Sequence, residues 1–161
     1  MAKRKPRRYF DSDVLIRYFE GDREAAPIVQ ALLDEAQSEK WTVAVAAHSL
    51  LEVTRPKNKP VDPAKVAKIT SFFEQDYVHV RDLDVTLAEN ALRLIYGYLW
   101  LHPLDAAHLA AAIDMKCEVF YTFEDEIVER FNGEQGLAVQ RPERPKGPEI
   151  SDLPLFQTLQ E

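Results

Sequence analysis

Seven carboxylates stand where their neighbours would draw them toward one place. Asp11 and Asp13 follow a short apolar run, Glu52 lies within SLLEV, and Asp105 lies within PLDAAHLAAA; Glu124, Asp125 and Glu126 follow CEVFYTF directly. Acids embedded in apolar sequence are rarely buried unless paired or bound to a metal. Several forced together repel, and one or more stays protonated unless a cation joins them. A hard divalent ion, Mg²⁺ or Mn²⁺, takes oxygen ligands: one or two carboxylates, waters and a substrate phosphate. Such a site lowers the pKa of a bound water and stabilises charge on a phosphodiester. Metal-assisted phosphodiester hydrolysis is the chemistry this set suits.

Each acid also has a plainer use. Asp11 fits the N-cap of a helix, as Ser12 or Asp13 would. Glu52 would complete a capping box with Ser49. Asp105 would complement a helix dipole from a first turn. Glu124 to Glu126 would make the acidic first turn of an exposed helix, with either Glu124 or Asp125 turned inward. Taken as a set, Asp11, Glu52 and Asp105 read as ligands.

The elements that would position them alternate along the chain. Strand-like runs stand near 8–11, 41–46, 77–80, 117–123 and 136–140. Helical periodicity occupies the segment after Asp11 to about Phe19, then 24–38, a short stretch from Ser49 to Arg55, and about 64–75. It resumes from Asp84 to about Leu101, with Leu87, Ala91, Leu92, Leu94 and Ile95 on one face, then over 102–116 and 124–131. This alternation predicts an α/β domain with a largely parallel sheet and helices on both faces. Ligands in such sheets bind at the carboxyl ends of strands, near the switch in strand order. That rule puts Asp11 and Glu124–Asp125 at strand ends, with Glu52 and Asp105 on nearby helices.

The chain has 161 residues and a net charge of −7, one domain's worth of globular sequence. Five cations crowd the first eight residues, Lys3, Arg4, Lys5, Arg7 and Arg8, so the body beyond them is more acidic still. An acidic body repels nucleic acid unless a metal or a basic arm meets the phosphates. Residues 1–8 therefore read as a basic arm, 9–140 as the folded domain, and 141–161 as an extended arm carrying four of the ten prolines. In that tail, SDLPLFQ (151–157) reads as a stretch that docks on a partner or a second subunit. The single cysteine, Cys117, excludes an intrachain disulfide and reads as a core thiol. No apolar run approaches the ~20 residues of a membrane span, and Asp11 and Asp13 interrupt the N-terminus before any secretory signal could form. A reducing, cytoplasmic setting is the expectation.

YFDSDVLI (9–16), SLLEVTR (49–55), HPLDAAHLAAA (102–112) and VFYTFEDE (119–126) together resemble the four successive acidic motifs of PIN domains, nearest to the VapC-like toxins of bacterial and archaeal toxin–antitoxin pairs. The resemblance covers roughly residues 8–140, in the family's order. It implies a three-layer α/β fold around a mostly parallel five-stranded sheet, a Mg²⁺- or Mn²⁺-dependent endoribonuclease, a homodimer, and a small antitoxin that masks the site. By the same resemblance Asp11 is a direct metal ligand, and Ser12 is the adjoining hydroxyl that holds it or a substrate phosphate. Glu52 is the second acid and Asp105 the third. Thr122 is the hydroxyl residue ending the fourth strand, and Glu124, two positions on, is the fourth acid, with Asp125 the alternative. A metal-activated water would attack phosphorus in line and leave a 5′-phosphate and a 3′-hydroxyl. Two positions depart from the pattern: Asp13 stands where Asn, Ser or Thr is more usual, and Glu124 where Asp is commoner.

Other readings compete. A PIN-like domain without catalysis would serve as a binding scaffold. A phosphoacceptor receiver module also gathers acids at strand ends, but it wants a Lys after its last strand, and none follows CEVFYTF or GLAVQ. Arg55, Lys57 and Lys59 either contact RNA phosphates or form a solvated loop. His108, three residues after Asp105, reads as a packing or surface histidine, because imidazole suits Zn²⁺ or iron better than Mg²⁺. His48, His79 and His102 lack partner spacing and receive no role. Tyr96, Tyr98 and Trp100 read as core or dimer packing.

Overall fold

The structure is a computed structural model that describes residues 3–147. The SDLPLFQ stretch lies outside the described residues.

Five strands form one sheet: β1 (Arg7–Phe10), β2 (Thr42–Ala46), β3 (Val78–Arg81), β4 (Val119–Tyr121) and β5 (Ala138–Gln140). Their order is β3-β2-β1-β4-β5, and every pairing is parallel. Tyr9 is the register centre, paired with Ala44 on one side and Phe120 on the other. Among the described residues, seven α-helices connect the strands: α1 (Ser12–Phe19), α2 (Ala25–Gln37), α3 (Ser49–Thr54), α4 (Pro63–Phe73), α5 (Val85–Gly97), α6 (Pro103–Asp114) and α7 (Asp125–Phe131).

The pleat divides the core in two. Tyr9, Ala44, Ala46, Phe120 and Val139 face α5, α6 and α7, where Leu87, Leu109, Ile127 and Phe131 meet them. Phe10, Val43, Val45 and Tyr121 face α1 to α4, where Leu15, Leu32, Val53 and Ile69 meet them. This is strand period two written across neighbouring strands, and it gives the expected three-layer α/β architecture with a five-stranded parallel sheet. Burying each large apolar side chain contributes about 1.5–3 kcal/mol. Tyr9 stacks on Phe120 with ring centroids 5.1 Å apart, fixing β1 against β4 beneath the acids.

Several local expectations need correction. Ser49 does not cap α3: His48 takes the N-cap position without a side-chain hydrogen bond. Ser49 is fully buried, and its hydroxyl faces Ser12 Oγ at 3.4 Å, so no capping box forms with Glu52. Helix α5 stops at Gly97, not near Leu101, because glycine weakens a helix and Pro103 holds the preceding His102 extended. Leu92 on α5 faces solvent. Strand β4 ends at Tyr121, since Phe123 gives its N–H to the Asp13 side chain.

The basic segment is not wholly an arm. Arg7 and Arg8 open β1, at the end of that strand remote from Asp11. Arg8 bonds Glu118 at 2.7 Å and Tyr121 at 3.0 Å and lies over the Trp41 ring. Tyr98 packs on Phe131, Arg130 covers Trp100, and Tyr96 is exposed. Cys117 is buried, and burial pushes its thiol up to about 12, so it is inert. Among the described residues, no helix is long and apolar enough to cross a membrane.

Candidate metal centre

Strand order reverses between β1 and β4, and the acids gather there. Asp11 follows β1 directly, and its N–H extends the ladder to Tyr121 O at 3.0 Å. Its carboxylate is N-cap and cluster member at once. Oδ1 accepts from Ser12 N at 2.8 Å, and Oδ2 accepts from Thr122 Oγ1 at 2.8 Å. Asp105 comes from the first turn of α6. Glu124 stands at the N-cap of α7 without capping it, and its N–H donates to Thr122 Oγ1 at 3.1 Å. One oxygen from each of Asp11, Asp105 and Glu124 lies within 4.8 Å of the others. Asp11 is 3% exposed, Asp105 is half-buried and Glu124 is exposed, so the cluster opens to solvent on one side.

The electrostatics match that crowding. Burial pushes Asp11 up to about 6 against the pull of His108 and the Thr122 hydrogen bond, and Asp105 and Glu124 push the same way. Burial and the Asp105 and Asp13 charges raise Glu124 to about 7. Asp105 is raised, chiefly by burial. Among the described residues no Lys or Arg pairs with these three acids; the cation-capable group nearest Asp11 is His108, whose Nε2 lies 3.8 Å from Oδ1. A divalent cation would relieve this repulsion, and the all-oxygen donors suit Mg²⁺ or Mn²⁺. The residues present therefore fit such an ion.

The remaining sequence-predicted residues divide. Asp13 is turned inward beside the cluster: Oδ2 accepts from Phe123 N at 2.9 Å, Oδ1 is buried without a partner, and burial with the Asp11 charge raises it to about 7. Ser12 Oγ lies 3.0 Å from His108 Nε2. Asp125, the alternative fourth acid, is exposed and bonded to Arg141, so it stands outside the cluster. Arg55 is exposed just beyond α3. Lys59 pairs with Glu20 at 3.9 Å.

Glu52 joins a different group. Its Oε1 lies 3.1 Å from His108 Nε2 and 3.7 Å from His48 Nε2. His108 is neither a surface residue nor ordinary packing. It is 1% exposed, Nδ1 meets the Tyr9 hydroxyl at 2.6 Å, and Nε2 meets Ser12 and Glu52. Burial opposes its charge, but the Glu52 hydrogen bond and the nearby carboxylates outweigh burial and raise its pKa. The same contacts overcome burial to lower Glu52. His48, given no role from sequence, lies with its ring centroid 4.1 Å from that of His108. Burial and His108 depress it to about 4. The signal in the sequence for this group was the i,i+4 spacing of His48 and Glu52.

Comparison with known proteins completes the description. The family model described as PIN domain matches residues 8–132. No curated protein sequence matches the chain. Among solved structures, a chain of a toxin–antitoxin complex from Klebsiella pneumoniae superposes with a TM-score of 0.58 at 23% identity, over 85% of this chain and 98% of that one. VapC20 of Mycobacterium tuberculosis, described as a sarcin–ricin-loop-cleaving toxin, gives 0.57 at 12% identity over 80% and 92%. A chain of VapBC2 from Rickettsia felis, bound to a DNA fragment from its promoter, gives 0.58 at 13% identity over 85% and 99%. At these identities the likeness is one of fold.

Proposed function

Because the chain belongs to the PIN domain family, we propose that it is a divalent-metal-dependent endoribonuclease and the toxin of a type II toxin–antitoxin pair. The observation that carries the nuclease reading is the convergence of Asp11, Asp105 and Glu124 at the switch point of a parallel sheet. These three would hold Mg²⁺ or Mn²⁺. A divalent ion supplies a water of lowered pKa and neutralises charge developing on a phosphodiester.

The chain's own groups prepare that site. Ser12 N and Thr122 Oγ1 orient the Asp11 carboxylate and favour its charged form. Asp13 clamps the Phe123 amide and so fixes the turn that presents Glu124. Glu52 Oε1, 3.1 Å from buried His108 Nε2, favours a proton on that ring. Arg55, exposed three residues beyond Glu52, is the cation we assign to an RNA phosphate.

The toxin reading draws on the identities of the superposed chains, each from a toxin or a toxin–antitoxin assembly. A small antitoxin partner and a cytoplasmic setting go with it. A homodimer is supported by an apolar groove of ≈ 450 Å³ between α5 and α6, lined by Leu83, Leu92, Ile95, Pro103 and Leu104 among others.

The test is cleavage of a mixed pool of structured RNAs in Mg²⁺ or Mn²⁺, by the wild type and by Asp11→Asn. Metal-dependent cleavage with 5′-phosphate ends, abolished in the variant and by chelator, is the expected result. Absence of both cleavage and any metal-dependent rise in melting temperature would leave a binding scaffold in its place.

A further inference from the structure

Beside the acids lies a second ligand set of different chemistry. Ligand atoms of His48, Glu52 and His108 all fall within 4.8 Å of one another. Glu52 Oε1 is 3.1 Å from His108 Nε2 and 3.7 Å from His48 Nε2. Donors sharing a tetrahedral ion at about 2.0–2.2 Å stand roughly 3.3–3.6 Å apart, close to the two Glu52 separations. The two imidazole rings incline by 38°.

An independent observation points to a missing ligand. His48 is 7% exposed, yet both of its ring nitrogens are buried without a hydrogen-bond partner. Leaving buried polar atoms unpaired costs about 1–3 kcal/mol, so a buried imidazole of this kind calls for a partner such as an ion or a water. Glu52 is held by His108 on α6, and His48, one turn before it at the start of α3, faces the same carboxylate at 3.7 Å without bonding it. The His108 ring is fixed from behind, since Nδ1 meets the Tyr9 hydroxyl at 2.6 Å. A hydrogen bond at the second ring nitrogen fixes the orientation of the ring, as the outer partner of a metal-ligating histidine does.

We propose that His48, Glu52 and His108 form a second cation site, for a borderline transition ion of the Zn²⁺ class, distinct from the Asp11–Asp105–Glu124 centre. Two imidazoles and one carboxylate are a zinc donor set, with a fourth position left for water; Mg²⁺ prefers oxygen alone. Coordination takes the Nε2 lone pair of His108. The ring proton then sits on Nδ1 and donates to the Tyr9 oxygen, reversing that hydrogen bond without loss of a proton from the neutral ring. The half-buried Glu52 carboxylate, 28% exposed, is the route by which the ion enters.

The experiment titrates Co²⁺ into the metal-free full-length protein and follows its visible absorption, with Zn²⁺ added afterwards as competitor. The expected result is one equivalent of Co²⁺ with the intense bands of a tetrahedral nitrogen–oxygen site, displaced by Zn²⁺ and insensitive to excess Mg²⁺. The bands should be lost in His48→Ala and in Glu52→Gln and kept in Asp11→Asn. Mn²⁺ binding at the acids, read by its paramagnetic effect on water relaxation, should survive in His48→Ala, which also shows that this variant folds. Co²⁺ bands unchanged in His48→Ala, or lost in Asp11→Asn, would assign the ion to the acids and overturn the proposal. So would an absence of tetrahedral bands in the folded wild type.

Discussion

Thr122 Oγ1 donates to Asp11 Oδ2 at 2.8 Å, joining residues 111 apart in the chain. The bond ties the end of β4 to the end of β1 at the point where strand order reverses. It also lowers the cost of ionising an acid that burial pushes the other way. Thr122→Val keeps the shape and removes the donor. We expect Mn²⁺ affinity to fall roughly 10–100-fold, as for other outer-layer partners of a metal ligand. Stability should fall by about 1–3 kcal/mol, because Asp11 Oδ2 loses its donor and the Glu124 N–H its acceptor. Mn²⁺ titration beside thermal melts separates the two effects, and unchanged affinity would exclude Thr122 from the site.

Asp11→Asn should act in opposite directions with and without metal. In the metal-free protein it removes a buried charge whose neighbours, Asp105 and Glu124, repel it, so the melting temperature should rise. With ion present, the wild type gains about 2.7 kcal/mol when the free ion is a hundredfold above its Kd. The variant should forfeit that gain. A variant that melts lower without metal would show that Asp11 serves mainly as a helix cap.

The pH dependence follows from the raised acids. Asp11 at about 6 and Asp13 at about 7 keep protons in the fold that the unfolded chain has released. The pair therefore subtracts stability as pH rises from near 4 through the raised folded values. Exposed Glu124 adds less, because solvent screens it. His48, depressed to about 4, works the other way below its ordinary value. That opposing contribution enters melts with and without Mn²⁺ alike. The informative quantity is thus the Mn²⁺-induced gain, which should grow between about pH 5 and pH 8 as the ion displaces protons from the carboxyls. A gain independent of pH would mean that Mn²⁺ binds elsewhere.

How much of this could be read from the sequence depends on what each feature rests on. The alternation of apolar runs and helical periodicity carries the fold, because Val43 and Val45 on one face and Ala44 and Ala46 on the other belong to a strand covered on both sides. The gathering of Asp11, Asp105 and Glu124 follows from the rule that parallel sheets expose their strand ends at the switch point. Spacing could not show how the surroundings of Glu124 and Asp125 differ, because the group that bonds Asp125 is Arg141, sixteen residues away. Nor could it show that Glu52 bonds His108, 56 residues on, or that Tyr9 from β1 reaches the same ring. Those contacts depend on how α6 sits over β1 and β2, which local pattern does not encode.

The pair Glu124 and Asp125 gives the sharpest test of the candidate centre. They are neighbours of similar chemistry at the start of one helix, so solubility, net charge and helix propensity change almost equally when either is neutralised. Only their surroundings differ. Glu124 shares the cluster with Asp11 and Asp105, and burial with the Asp105 charge raises it to about 7. Asp125 is solvated and paired with Arg141, an exposed ion pair of the kind that contributes about 0–1 kcal/mol. Glu124→Gln should remove an ion-binding oxygen and weaken Mn²⁺ binding by more than about tenfold. Asp125→Asn should leave Mn²⁺ affinity within about twofold and shift stability by less than about 1 kcal/mol. Mn²⁺ titrations on the two variants, run with thermal melts, decide the matter. If Asp125→Asn carries the larger loss, the ion sits one residue further along α7 and the Arg141 pair must open to admit it.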